Sequence, residues 1–412
     1  MLAPLLPFAE STNELKEIDE PLLSSGLDSP IISSDWVSAI SSGYEHTCAI
    51  LASGAVSCWG IGSGGRLGNG NGGTFDTLTP TSTSSLGPGR TAVAISAGYY
   101  HTCAILDNGA VSCWGYGSWG QMGAGDTLGR YIPTLTSSLG INRTAVAISS
   151  GEYHTCAILD NGAVSCWGYG TSGQLGNGGT SDKTTPTLTS SLGTNRTAVA
   201  ISSGQYHTCA ILDNGAVSCW GYGINGQLGN GGTQNRNTPT LTSSLGINRT
   251  AVAISSGYAH TCAILDNGAV SCWGHGVYGL LGNGATSGKT TPTLTSSLGA
   301  GRTAVAISSG RYHTCAILDN GDVSCWGQGG AGRLGNGGTS VKSTPTLTSS
   351  LGTNRTAVAI SSGGSHTCAI LDNGAVSCWG QGNAGQLGNG GINFLYEPPT
   401  RFVDTTIIGQ ST

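Results

Sequence analysis

The chain has 412 residues, of which 70 are glycine and 9% are charged; its formal net charge is −5 and it contains four lysines. Glycine at about twice the usual share, with charge far below the usual quarter, points away from an ordinary globule. The absence of a basic stripe sets nucleic acid aside as a partner, and the regular short runs of Val, Ile, Leu and Ala set disorder aside for most of the chain.

Residues 1–30 come first and differ from the rest. They hold four of the seven glutamates and show no strand alternation, so an acidic, mostly disordered lead is expected there. The opening "MLAPLLPFAES" resembles the tail of a signal-peptide apolar region without its basic start. Either the true start lies upstream or the likeness is accidental. No run approaches eighteen apolar residues, so no transmembrane helix is expected.

From Cys48 the equivalent cysteine returns after 55 residues, then after 53 in each of five further steps. The repeated unit reads "TPTLTSSLGxxRTAVAISSGxxHTCAILDNGAVSCWGxGxxGQLGNGG". It contains four apolar runs, A to D: "PTLT", "AVAIS", "TCAIL" and "AVSCWG". Each is of strand length, partly β-branched, and bounded by Gly, Asn, Asp or Ser, and none has helical periodicity. Four short strands in each of seven units predict an all-β fold, a seven-bladed β-propeller of four-stranded antiparallel blades over residues 31–408.

Runs C and D form a hairpin in every unit. Cys156 and Cys166 are symmetric about Asn161, so an Asp160-Asn161-Gly162 loop sets Leu159 opposite Ala163 and Cys156 opposite Cys166. Gly162 supplies the positive φ that a three-residue hairpin requires. Counting outward, the cysteines reach a non-hydrogen-bonded pair, where side chains come closest. The same pairing joins Cys48 to Cys58, Cys103 to Cys113, Cys209 to Cys219, Cys262 to Cys272, Cys315 to Cys325 and Cys368 to Cys378, leaving none over. An even, patterned set reads as disulfides and an oxidising compartment. Each staple of this loop size contributes about 3 kcal/mol. The competing reading, zinc held by the His-Thr-Cys triplet and the second Cys, offers three ligands at poor tetrahedral geometry, so no metal is expected.

The unit resembles the repeat of the RCC1 (regulator of chromosome condensation) family. The resemblance is carried by the Gly before the His, by His154-Thr155, by the Gly162 turn, by Trp167-Gly168, and by "GQLGNG" at 173–178. It spans about residues 30–408. It implies a propeller whose chain ends close one blade together. The tail "PPTRFVDTT" at 398–406 looks like a displaced "TPTLTSS" strand that would complete the blade holding Trp36 to Trp59. The family's namesake is a nuclear exchange factor for a small GTPase. This chain has no inserted wedge and pairs every cysteine, so that activity is not carried over. The resemblance to secreted bacterial members that bind a protein through one end of the propeller is the closer one.

Enzyme chemistry finds little support. Beyond the lead, Glu occurs only at positions 45, 152 and 397, and there is no pair of carboxylates, P-loop or nucleophile-with-base spacing. The repeated His154 is expected to bond backbone carbonyls, and Trp167 to pack between blades with its N–H satisfied locally. No cofactor is expected.

Variation among the copies marks positions the scaffold leaves free. In the B–C loops these are Tyr44-Glu45, Tyr99-Tyr100, Glu152-Tyr153, Gln205-Tyr206, Tyr258-Ala259, Arg311-Tyr312 and Gly364-Ser365. In the D–A loops they are Tyr116 and Trp119, Tyr169, Tyr222 and Asn225, His275 and Tyr278, Gln328 and Gln381. Alternating strand direction puts both loop sets at one end, and exposed Tyr, Trp and Arg make interface hot spots. A structural alternative has these tyrosines merely packing on loop glycines. The opposite end carries "NRT" at Asn142, Asn195, Asn248 and Asn354, formal glycosylation sequons that equally suit a turn. The expected protein is thus a monomeric, extracellular or cell-surface module that binds a protein or glycan through its tyrosine-rich end. The alternatives are a structural surface module without a discrete ligand, and an exchange factor for a small GTPase.

Overall fold

The computed structural model describes residues 36–73 and 75–398. The first blade contains β1 (Val37–Ser42), β2 (His46–Leu51), β3 (Val56–Gly60) and β4 (Thr77–Ser82), hydrogen-bonded in that order and antiparallel. Five more four-stranded blades of the same kind span 92–135, 145–188, 198–241, 251–294 and 304–347. The seventh holds the strands Ala357–Ser362, His366–Leu371 and Val376–Gly380, and Gly380 pairs with Leu395 in both directions, at 2.8 and 2.9 Å. Seven β-sheets, with three short 3-10 turns among the described residues, make the fold all-β and seven-bladed.

Two expectations about chain order meet the structure differently. Run A does not open its own blade: "PTLT" is the outermost strand of the preceding one, so each sheet reads B, C, D and then the A of the next unit. A tandem repeat has no intrinsic start, and strand spacing alone cannot phase it. The first blade therefore has four strands within 37–82. The segment 398–406 lies, beyond Pro398, outside the described residues.

The innermost strands end on small residues. Ser42, Ala97, Ser150, Ser203, Ser256, Ser309 and Ser362 line a cavity of about 70 Å³ on the axis. The second and third strands are buried at every position, because both faces of a blade are covered by its neighbours. The outermost strands are half exposed, and each carries a proline, Pro186 in the third blade, which leaves the edge a poor template for further pairing.

There is no single core. Each hydrophobic cluster sits between two blades: Cys156, Ile158, Val164, Cys166 and Leu175 of the third pack against Ala198, Ala210 and Trp220 of the fourth. All seven cysteine pairs are disulfide-bonded, with Cα atoms 4.1 Å apart. Cys156 faces Cys166 across the hairpin, whose turn closes with Leu159 N–H donating to Ala163 O at 2.8 Å and Gly162 at φ 76°.

A polar joint accompanies every cluster. Trp220 Nε1–H and the Thr208 hydroxyl both donate to the carbonyl of Gln174, at 2.9 and 3.0 Å, filling both its lone pairs. Thr208 Oγ1, its proton so committed, accepts from His154 Nε2 at 2.9 Å, which assigns the Nε2–H tautomer. The histidine thus bonds a threonine hydroxyl of the next blade and reaches the carbonyl only through it, contrary to the expectation of direct carbonyl contact. The tryptophan's partner is likewise not local but 46 residues away in the neighbouring blade. Complete burial holds His154 down to about 3, the neighbouring His101 adding to the effect. The joint recurs at His46–Thr102, His101–Thr155, His207–Thr261, His260–Thr314, His313–Thr367 and His366–Thr47, closing the ring.

Candidate functional site

The B–C loop is a two-residue bridge between the Gly and the His of each joint, so its two free side chains project from a fixed frame. Gly151 N–H donates to His154 O at 2.8 Å and pins the loop; the equivalent bond forms in all seven blades. Among the first free residues of the loops, Tyr44, Tyr99 and Arg311 line the axial cavity. Tyr44 and Tyr99 stack with ring centroids 5.4 Å apart, and Tyr99 reaches Tyr258 of the fifth blade at 6.4 Å. Arg311 lies 5.0, 4.5 and 5.0 Å from the rings of Tyr44, Tyr258 and Tyr312. Tyr44, Tyr99 and Arg311 cap the axial cavity, which has room for about two water molecules.

The second free residue forms an outer ring that meets the D–A loops. Tyr100 stacks on Tyr153 at 5.2 Å and meets Tyr116 edge-on at 6.3 Å. Tyr153 touches Trp119, Tyr169 and Tyr206 at 6.2 to 6.4 Å, and Trp119 meets Tyr169 at 5.0 Å. Tyr206 continues to Tyr222 at 6.4 Å. The two loop sets thus share one end, and the aromatic contacts run unbroken over five blades. Tyr278 takes no part in them; it is exposed in the left-handed region at φ 64°. Trp119 and Tyr116 are each 38% exposed, and most of the other rings are half-buried.

Electrostatics follow from burial. Desolvation raises the Glu152 carboxyl, opposed by hydrogen bonds from Gln205 and Tyr153 and by Arg311. Burial pushes Tyr206 up to about 12, with Glu152 adding to the effect, so its hydroxyl is a neutral donor at physiological pH. Two further residues, buried beneath this surface, are Arg66 and Arg333, each 5.2 Å from a ring, of Tyr100 and Tyr312 respectively. Their signal was present in the sequence: Arg stands there in place of the Gln of "GQLG".

The opposite end differs in chemistry. Arg143 pairs with Asp160 of its own blade's hairpin at 3.1 Å, one of six such exposed pairs. Asn142, Asn195, Asn248 and Asn354 are exposed and left-handed at φ 54 to 55°. Gly89 and Gly301 occupy the same place in two other copies at φ 66 and 69°, so the turn geometry by itself accounts for Asn there. Among the described residues no group of His, Cys, Asp or Glu could hold a metal ion, and no helix is long and apolar enough to cross a membrane.

Comparison with known proteins fits this geometry. A family model of the regulator of chromosome condensation (RCC1) repeat matches six windows from 53–105 to 320–370, and a second model of that repeat matches seven, from 37–66 to 357–386. The chain is 32% identical over 353 residues to the ultraviolet-B receptor UVR8 of Arabidopsis thaliana, covering 85% of this chain and 78% of the relative. Yeast RCC1 (Prp20), solved bound to Kap60, superposes with a TM-score of 0.75 at 18% identity, over 96% of this chain and 91% of that one. The ectodomain of the Physcomitrella patens receptor kinase CR4 superposes with a TM-score of 0.52 at 19% identity, over 84% and 74%. The two structural likenesses concern the fold alone. With its repeat matched seven times and a relative of this identity over most of its length, the chain belongs to the RCC1 repeat family.

Proposed function

We propose that this protein is a secreted or cell-surface binding module that recognises a protein through the tyrosine-rich end of its propeller. The observation that carries the reading is the unbroken aromatic belt. Tyr and Trp offer large, rigid contact area at low entropic cost, and the belt leaves Trp119 and Tyr116 open to a partner. Seven disulfides and no free cysteine among the described residues favour an oxidising compartment.

The test replaces Tyr100, Tyr153, Tyr206 and Trp119 with alanine together. Surface proteins and glycans of the native source are cross-linked to the wild-type chain to identify the partner. A folded quadruple variant, judged by its unfolding midpoint, is expected to lose that partner. Retention of the partner overturns the assignment of this end. A glycan in the cross-link overturns the protein ligand, and no partner at all favours the structural module.

A further inference from the structure

Cations are spread unevenly over the aromatic belt. Arg311 serves three rings at once, Arg66 covers Tyr100 and Arg333 covers Tyr312. Tyr169, Tyr206 and Tyr222, on the other side of the axis, have no guanidinium over them among the described residues. The cause lies in the sequence: where Arg66 and Arg333 stand, the third and fourth units have Gln174 and Gln227. Both are buried, and their carbonyls serve the joints.

Between these uncovered rings lies a cavity of about 350 Å³. Tyr169, Tyr206 and Tyr222 form its aromatic walls together with Tyr258, whose ring already carries Arg311 at 4.5 Å; Gln205 and Asn225 contribute amides, and no charged residue lines it. The rings meet at 54° and 71°, so they stand around the space as walls and do not offer one flat platform. A cation is stabilised by several rings from several sides. The guanidinium suits such a site well, because it is planar and weakly hydrated. Glu152 brings an acidic side chain beside the same wall through its hydrogen bond with Gln205.

We propose that this pocket receives an arginine side chain of a partner protein, its guanidinium standing among Tyr169, Tyr206 and Tyr222 as Arg311 stands among Tyr44, Tyr258 and Tyr312. Across the axis the fold supplies the cation itself; here the partner supplies it. The inference rests on the tyrosine-rich end being the binding end, and it narrows the partner to a protein with an exposed arginine.

The full chain, with tyrosine side chains isotopically labelled, is titrated with N-acetyl-arginine amide and, separately, with its neutral isostere N-acetyl-citrulline amide. The expected result is a saturable shift of the Tyr206 and Tyr222 ring resonances with the arginine probe, and a response about tenfold weaker with citrulline. Tyr222→Leu is expected to weaken the arginine probe about tenfold, and Tyr222→Phe, which keeps the ring, to stay within about twofold. Equal responses to the two probes, no response, or an unchanged Tyr222→Leu variant overturns the arginine site. If the arginine probe fails while the four-residue variant still loses its partner, the site is wrong and the binding end stands. If the probe binds while the partner ignores that variant, the binding end is wrong, and the arginine's source with it.

Discussion

Thr47 and His366 are 319 residues apart in sequence and 2.8 Å apart at Oγ1 and Nε2. The bond repeats, between the last blade and the first, what His154 and Thr208 make between the third and the fourth. Thr47 also donates to the Gln386 carbonyl at 3.1 Å, and Ser42 N–H to Ser361 Oγ at 2.8 Å, as Ser203 N–H does to Ser149 Oγ. Ring closure therefore uses the same joint as every other blade contact.

Replacing Thr47 by valine removes the hydroxyl and keeps the shape. His366 Nε2–H is then buried without an acceptor, at a cost of about 1–3 kcal/mol. Thr208→Val is expected to cost a similar amount at an internal joint. Equilibrium denaturant unfolding of both variants checks this. A Thr47→Val protein of wild-type stability would show that the closing joint contributes nothing.

The seven joint histidines set an acid limit. Burial holds His101, His154, His207, His260 and His366 at about 3, and His46 and His313 well below 6.5. The unfolded chain binds protons on them near 6.5, the folded chain only well below that. Stability is therefore full above about 6.5 and falls as pH drops from there toward about 3, by about 1.4 kcal/mol per unit for each group. The expected outcome is an unfolding midpoint flat from pH 7 to 8 and falling steeply through pH 5. His154→Gln is expected to lower the proton uptake on unfolding by about one.

Two glycines of the "LGNG" turn separate steric from conformational demands. A Cβ on Gly176 would lie 2.7 Å from Trp220 Nε1, inside the joint, at φ 66°. A Cβ on Gly178 would meet nothing closer than Ser190 Oγ at 3.5 Å, at φ 86°. Gly178→Ala is expected to cost about 1–2 kcal/mol of left-handed strain. Gly176→Ala adds displacement of a fully buried indole and is expected to cost at least about 2 kcal/mol more. Unfolding midpoints of the two variants, measured side by side, decide it.

Alkylation of unfolded protein from the native source reports its compartment. With all fourteen cysteines paired, intact mass is expected to show no adduct before reduction and fourteen after it. Free thiols in the unreduced sample would turn the search toward intracellular partners. Extra mass on Asn142, Asn195, Asn248 or Asn354 would show the end opposite the tyrosines to be sugar-coated.

What could be read without the structure was whatever one repeat encloses. The Asp160-Asn161-Gly162 turn fixes the hairpin register locally, and the register puts Cys156 opposite Cys166. What could not be read spans two repeats or the axis. Thr208 is 54 residues from His154, and nothing in either unit alone says that the hydroxyl serves a neighbour's imidazole. Run A abuts both the strand before it and the strand after it in sequence, so only tertiary pairing decides its blade. Tyr99 and Tyr258 meet because the ring closes with seven wedges, a distance relation absent from any window of sequence. The tyrosine-rich end was legible as variation between copies, but the separation of its cation-covered and uncovered halves was not.

The loop held between Gly151 and His154 has a consequence for how such a molecule changes through descent. Stability resides in the joint residues on either side, which recur in every blade, while the pair Glu152-Tyr153 lies between them and is free to differ. A lineage can rewrite two positions per blade, in seven blades, and alter the chemistry of that end of the disc without renegotiating how it folds. Duplication of a blade then copies the frame intact and leaves its pair of free residues open to drift.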